Sequence, residues 1–192
     1  MRVLVTGSTG FVGGHVVRAL SSCGYELGLL VRDVEKAGGL KGPNNVFLEG
    51  DLDDVRSLKQ LLKEFVPDSC VHLAWEGIPD YSAGVSYRNL SRSLNLAEIL
   101  ARETPCKKIV VSGSCLEYGK TSGVCEESDS VQTASYFAWA KQTLYNYLTL
   151  LGRQSPLQTI WFRLFYIYGP GQRLNALIPS IVRSSMNGEI PD

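Results

Sequence analysis

The chain has 192 residues, of which 44% are hydrophobic, enough to build one domain around a substantial core. Its 19 Lys and Arg balance its 19 Asp and Glu, so no basic field invites nucleic acid and no cationic patch invites a membrane surface. Five cysteines without a C-x-x-C pair, together with only two histidines, argue against a disulfide framework and against a zinc site. No apolar run approaches the ~20 residues of a bilayer span, and a strand rather than a leader begins at residue 2, so a soluble cytoplasmic protein is expected.

The first element reads as a short buried strand near 2–6, which stops at Gly7. A helix near 11–22 follows at once, with apolar positions at Phe11, Val12, Val16, Val17 and Leu20. Between them stand Gly7, Gly10 and Gly13. In that order they permit a tight turn, leave room for a pyrophosphate against the backbone, and let the helix pack close to the strand. The free N–H groups at the helix start then face the phosphates. Taken alone this glycine spacing says little in a chain with 19 glycines; the strand before it, the helix after it and the next apolar run at 27–31 give it meaning.

Strands near 26–31, 45–48 and 69–74 alternate with a short helical or loop segment and a helix near 54–65. That alternation predicts an α/β fold, a doubly wound parallel sheet with helices on both faces. A long helix near 84–102, a strand at 107–111, a loop rich in Ser, Gly and acidic residues to about 132, a helix near 133–152 and a strand at 157–164 complete the pattern, and a last helix carries Leu177, Ile178, Ile181 and Val182.

The segment TGSTGFVG at 6–13 resembles the cofactor loop of the extended short-chain dehydrogenase/reductase family, mostly nucleotide-sugar epimerases, dehydratases and reductases. The resemblance implies a dinucleotide-binding Rossmann domain over 1–172, held to the cofactor by Gly7, Thr9, Gly10, Phe11, Val12 and Gly13. Residues 173–192 would begin a substrate-binding lobe that the chain leaves incomplete. In GLLVRD at 28–33, Val31 takes the position of the usual NAD-selective Asp and Arg32 follows it, which favours NADP; Asp33 still lies within reach of a ribose, so NAD stays open, and a solvated Arg-Asp loop is the plain alternative.

EGDLD at 49–53 resembles the family's acidic and apolar pair at the adenine, which assigns Asp51 and Leu52, while Asp53 or Asp54 suits a helix cap. VHLAW at 71–75 resembles the end of the fourth strand, where Leu73, Ala74 and Trp75 would pass the ribose and pyrophosphate; Trp75 is bulkier than is usual there. His72, without a neighbouring carboxylate or serine in sequence, reads as a packed strand histidine. In YRNLSRSLNL at 87–96, Asn89 matches a family position that supports the site's architecture and stands among the cofactor residues, whereas Arg92 and Ser93 replace a Gly-Thr pair.

The segment IVVSGSCLEYG at 109–119 is an apolar strand that empties into hydroxyls at the carboxyl end of a parallel sheet, where ligands of such folds bind. By resemblance Ser114 falls on the catalytic serine and Ser112 beside the cofactor, in a form closest to nucleotide-sugar 4-keto reductases. A dehydratase needs an acid pair after the serine; Cys115 and Leu116 stand there and cannot do that work. The family's Tyr-x-x-x-Lys pair falls on SYFAWAK at 135–141, where Lys141 matches but Phe137 replaces the tyrosine.

Tyr136 lies five residues before Lys141, about 140° around a helix, and should face elsewhere. Phe137 therefore reads as a Tyr-to-Phe change made by design, as a natural impaired relative, or as a helix start bent enough to bring Tyr136 in; the intact surrounding motifs favour the first. WFRLFYIYGPGQR at 161–173 resembles the strand-six motif, with Phe165 near the nicotinamide and Tyr166 in place of the usual Asn. The expectation is an NADP-preferring 4-keto reductase or epimerase of a nucleotide-linked sugar, acting by hydride transfer, in which a homodimer covers the apolar last helix. A non-catalytic dinucleotide-binding regulator is the alternative class, and because fold does not choose substrate, reduction of a flavonoid-like ketone also stays open.

Overall fold

Valines and leucines two apart set the layers. In the computed structural model, which describes residues 1–119 and 123–189, six parallel strands form one sheet: β1 (Arg2–Thr6), β2 (Glu26–Val31), β3 (Asn45–Glu49), β4 (Ser69–His72), β5 (Lys108–Ser114) and β6 (Gln158–Leu164). Their order across the sheet is β3-β2-β1-β4-β5-β6. Five α-helices connect or follow them: α1 (Phe11–Ser22), α2 (Val55–Phe65), α3 (Ala83–Glu103), α4 (Tyr136–Leu151) and α5 (Leu177–Met186).

Successive side chains of a strand point to opposite faces. Val3 and Val5 join Leu27, Leu29 and Val31 against Val17 of α1, whereas Leu4 and Leu30 join Cys70, Ile109 and Val111 against α2, α3 and α4 on the other side. With both faces covered, the sheet is the doubly wound Rossmann arrangement that the alternation predicts. The chain builds outward from β1 to β3, then crosses back to β4, so the carboxyl ends of β1 and β4 part company and leave a crevice between them.

Several boundaries differ from the sequence reading. The fourth strand ends at His72 rather than 74: the Leu73 amide still donates to the Thr6 carbonyl at 3.1 Å, but the Ala74 amide turns to the Thr6 hydroxyl at 3.3 Å and the chain leaves the ladder. The fifth strand runs three residues beyond 111, with Ser114 still paired to Leu164. Residues 133–135 lie outside α4, because the Ser135 hydroxyl accepts from the Ala138 amide and caps the helix there. Asp54 is the cap of α2, accepting from both the amide and the hydroxyl of Ser57.

His72 finds its partners far away in sequence. Its Nδ1 lies 2.7 Å from the Thr6 hydroxyl and its Nε2 2.9 Å from the Ser93 hydroxyl, both buried. Burial, and then the charge of Lys141, push it down to about 3, so it is a neutral packing residue as expected. Apolar side chains of α5 remain exposed, among them Leu177, Ile178, Ile181 and Val182; residues 190–192 of the expected lobe segment lie outside the described residues. No helix among the described residues is long and apolar enough to cross a membrane.

Gly28 of β2 shows how tightly α2 sits on the sheet, for a Cβ there would lie 2.7 Å from the Phe65 ring and 2.9 Å from Leu48. Overpacking of this kind costs about 1–3 kcal/mol. Gly28→Ala is expected to lower the urea midpoint by that stability at unchanged m-value; a midpoint equal to that of the unmodified chain would show that Phe65 yields freely.

Candidate functional site

The crevice between β1 and β4 is shaped by glycine. Gly7 has φ +70°, and a Cβ on it would come within 2.7 Å of the Ala74 amide nitrogen; one on Gly13 would come within 2.0 Å of the Gly7 carbonyl oxygen. No side chain can be added at either place without moving the backbone. Gly10 precedes α1 with no side-chain cap, and the first turn carries no acidic residue, so the helix start presents amide donors and a positive dipole end to the crevice.

Around this cradle lies a cavity of ≈ 280 Å³. Gly7, Thr9 and Gly10 line one side, Arg32 comes from the end of β2, Asp51 and Leu52 from the end of β3, Leu73, Ala74 and Trp75 from the end of β4, and Asn89 and Arg92 from α3. Most residues expected at the cofactor are thus brought to one place. Gly13 sits behind the cradle, where it serves close packing. Phe11 faces a neighbouring depression shared with Pro170 and Gly171, its ring edge-on to His15, and half-buried Val12 stands outside the lining.

Charged groups close the mouth of the cavity. Arg32 pairs with Glu76 at 2.6 Å, and Arg92 bridges Glu76 and Asp53. The Arg92 guanidinium, ahead of other causes, holds both carboxyls below the usual range. Asn89 fixes Glu76 from behind: its Oδ1 accepts from the Glu76 amide at 2.8 Å, and its Nδ2 donates to the Glu76 carbonyl at 3.0 Å and to the Val85 carbonyl at 2.9 Å. The amide side chain is fully committed to the protein, which makes Asn89 a support of the loop.

The second group of expected residues lies on the far side of Trp75. Lys141 is 4% exposed; its Nζ donates to the Ser112 carbonyl at 2.7 Å and stands 4.0 Å from the centre of the Trp75 ring. Burial pushes this ammonium down to about 7, with Glu117 opposing the shift. Phe137 shares the Lys141 face of α4, its ring 5.8 Å from Nζ. It packs edge-on to Trp75 at 5.2 Å and against Tyr81 at 4.9 Å. The Ser114 hydroxyl accepts from the Leu116 amide at 3.2 Å and keeps its own proton for another acceptor. Phe165 is exposed, its ring 6.0 Å from that of Tyr118.

Tyr136 is 59% exposed and opens instead into an aromatic groove with Tyr81, Tyr87 and Trp139. The helix start is regular, with Ser135 as its cap, and Tyr136 lines a groove that Lys141 does not share. Three residues of the site had no role in the sequence reading. Glu117 is fully buried and accepts from the Ser114 amide at 2.7 Å, from Trp161 Nε1 at 3.1 Å and from Arg163 Nε at 2.9 Å. The acidic residue inside the quoted serine motif was its only signal. Tyr81, in the loop after β4, packs against Phe137; Arg92 stands in sequence as the replacement of a small residue, and that added size is what carries it to Glu76 and Asp53.

Residues 3–191 match the model of the NAD dependent epimerase/dehydratase family. The UDP-glucose 4-epimerase of Neisseria gonorrhoeae is 30% identical over 171 residues, covering 81% of this chain and 50% of that protein. The UDP-glucuronate 4-epimerase 1 of Arabidopsis thaliana is 30% identical over 204 residues, covering 97% and 47%. The chain thus spans about half the length of these curated relatives. Among solved structures, the UDP-glucose 4-epimerase of Thermotoga maritima with UDP-glucose superposes with a TM-score of 0.83 at 25% identity, covering 98% of this chain and 64% of that one. MoeE5 in complex with UDP-glucose and NAD gives 0.80 at 25% identity, covering 98% and 62%.

The burial of Lys141 has a measurable signature. Below about pH 7 both the folded and the unfolded chain hold this proton; between about 7 and the ordinary 10.5 only the unfolded chain does, so stability should rise with pH across that window. Urea unfolding of the unmodified chain and of Lys141→Met from about pH 6 to about 9.5 is expected to show the unmodified chain gaining on the variant as pH rises. A difference that stays flat would mean that the ammonium is better solvated than its surroundings imply.

Proposed function

The chain belongs to the NAD dependent epimerase/dehydratase family, and on that footing we propose that it binds a nicotinamide dinucleotide in the β1–β4 crevice as the cofactor part of an enzyme acting on a nucleotide-linked sugar. The observation that carries this reading is the cradle: Gly7 and Gly13 have no room for a Cβ, and they deliver the bare N-terminus of α1 to a cavity that also holds Asp51 and Leu52. These residues fit the adenine half of such a cofactor. The α1 amides would hold the pyrophosphate, Asp51 would accept from the adenine amine, and the Leu52 amide would donate to the ring. When bound, the cofactor supplies hydride transfer at a sugar carbon.

This chain's own side chains would prepare the reaction. Ser114 can donate its hydroxyl proton to a sugar oxygen while the Leu116 amide fixes its position. Lys141 would hold the hydroxyls of the nicotinamide-side ribose. Phe137 supplies ring shape without a proton. The activities of the relatives, together with Cys115 and Leu116 in place of an acid pair, favour a 4-epimerase or 4-keto reductase over a dehydratase.

The reading extends to NADP at Arg32, where a 2′-phosphate would compete with Glu76 for the guanidinium. It includes a homodimer that covers the exposed apolar residues of α5, a cover to be sought by light scattering. Phe137, which offers no phenol beside Lys141, favours a second reading, a dinucleotide-binding regulator without turnover.

Titration with NADP and NAD tests the cofactor assignment. NADP should bind more tightly, and Arg32→Ala should remove the preference; tighter NAD binding would turn the choice over to Asp33, and no binding below millimolar by either would end the dinucleotide reading. A positioned proton donor is worth about 10²–10⁴-fold. Phe137→Tyr, in a chain that includes the substrate lobe, should raise turnover by that order if the protein is an enzyme, and should leave it at background if it is a regulator.

A further inference from the structure

The two groups of residues that should meet one dinucleotide do not share one cavity. Gly7, Gly10, Asp51 and Leu52 line the crevice, whereas Ser112, Ser114, Phe137 and Lys141 do not. Trp75 stands between them. One side of it lines the crevice, and its ring lies over the Lys141 ammonium at 4.0 Å and against the Phe137 ring at 5.2 Å. A ligand in the crevice therefore meets the indole before it can reach Lys141, which is itself 4% exposed.

We propose that Trp75 sets what this site accepts: with the indole on Lys141 the crevice takes an adenine nucleotide that ends in its phosphates, and the nicotinamide half of a dinucleotide enters only when the indole has left. The proposal rests on the dinucleotide reading above and adds to it a residue that discriminates between half and whole cofactor.

Three observations show how the indole is held and how it can move. Its Nε1 is buried without a hydrogen-bond partner, so no polar contact fixes it, and an orphaned buried donor favours any rotamer that frees it. What retains the ring is the cation–π contact with Lys141 and the edge-on contact with Phe137, attractions that grow when desolvated. The backbone beside it does not share that freedom, because Asn89 clamps both the amide and the carbonyl of Glu76. Displacement is thus a rotation of the Trp75 side chain about its own torsions, with the loop staying in place.

Calorimetric titration with ADP and with NAD, which differ by the nicotinamide-bearing half, tests this on the unmodified protein, on Trp75→Ala and on Trp75→Phe. Removing a ring that binding must otherwise pull from a desolvated ammonium should raise the affinity for NAD relative to that for ADP by about tenfold or more. Trp75→Phe, which keeps a smaller ring on Lys141, should fall between. Retained ADP affinity shows that each variant is folded. If NAD and ADP shift by the same factor, or if NAD weakens while ADP holds, Trp75 does not divide the site and the proposal fails alone. If none of ADP, NAD and NADP binds the unmodified protein, the dinucleotide reading fails and takes this proposal with it.

Discussion

The site depends on how closely the chain leaving β1 passes the chain leaving β4. At Gly7 the separation is too small for a methyl group, since the Ala74 backbone would lie 2.7 Å from it. That approach lets Thr6 bond with its hydroxyl to both the Ala74 amide and the His72 ring, so that the ends of two neighbouring strands are tied by one side chain. Everything further out inherits the fit. Leu73 and Ala74 become cavity wall, Trp75 is carried to Lys141, and Glu76 reaches the two arginines at the mouth. Widening the gap by one side chain would shift all of these at once.

Below this seam one buried carboxylate is held by several donors. Glu117 sits with no exposure between the Ser114 amide, the Trp161 indole and the Arg163 guanidinium, and a carboxyl group taken out of water is costly without such partners. Gly113 leaves the space they occupy, because a Cβ there would lie 2.2 Å from Trp161 Nε1. The arrangement joins the end of β5 to β6 and so fixes where Ser114 stands. Loss of the acid alone would strand a cation, which explains why a buried pair is harder to break than to replace as a whole.

Much of the frame was legible because its signals are local. The strand, glycine turn and helix at the start lie within about twenty residues, and the faces of Phe137, Tyr136 and Lys141 follow from helix geometry alone. In sequence the fourth strand looks longer than it is, since Leu73 and Ala74 continue the apolar run; the Thr6 hydroxyl, 68 residues from Ala74, marks where the ladder ends. Partnerships of that reach have no local trace. Arg92 meets Asp53 across 39 residues, Arg163 meets Glu117 across 46, and His72 meets Ser93 across 21. Trp75 marks the boundary between the two kinds of information: its bulk was plain in the sequence, and its place on Lys141 was not.

An ammonium held near 7 by burial is only partly protonated in neutral solution. Any molecule that settles beside Lys141 alters the surroundings that set this balance, and its arrival therefore exchanges protons with the medium. The heat of such an association contains the ionisation enthalpy of whichever buffer takes up or gives back those protons. Two laboratories working at the same pH in phosphate and in Tris would record different enthalpies for one binding event, with the slope against buffer enthalpy counting the net protons exchanged on binding.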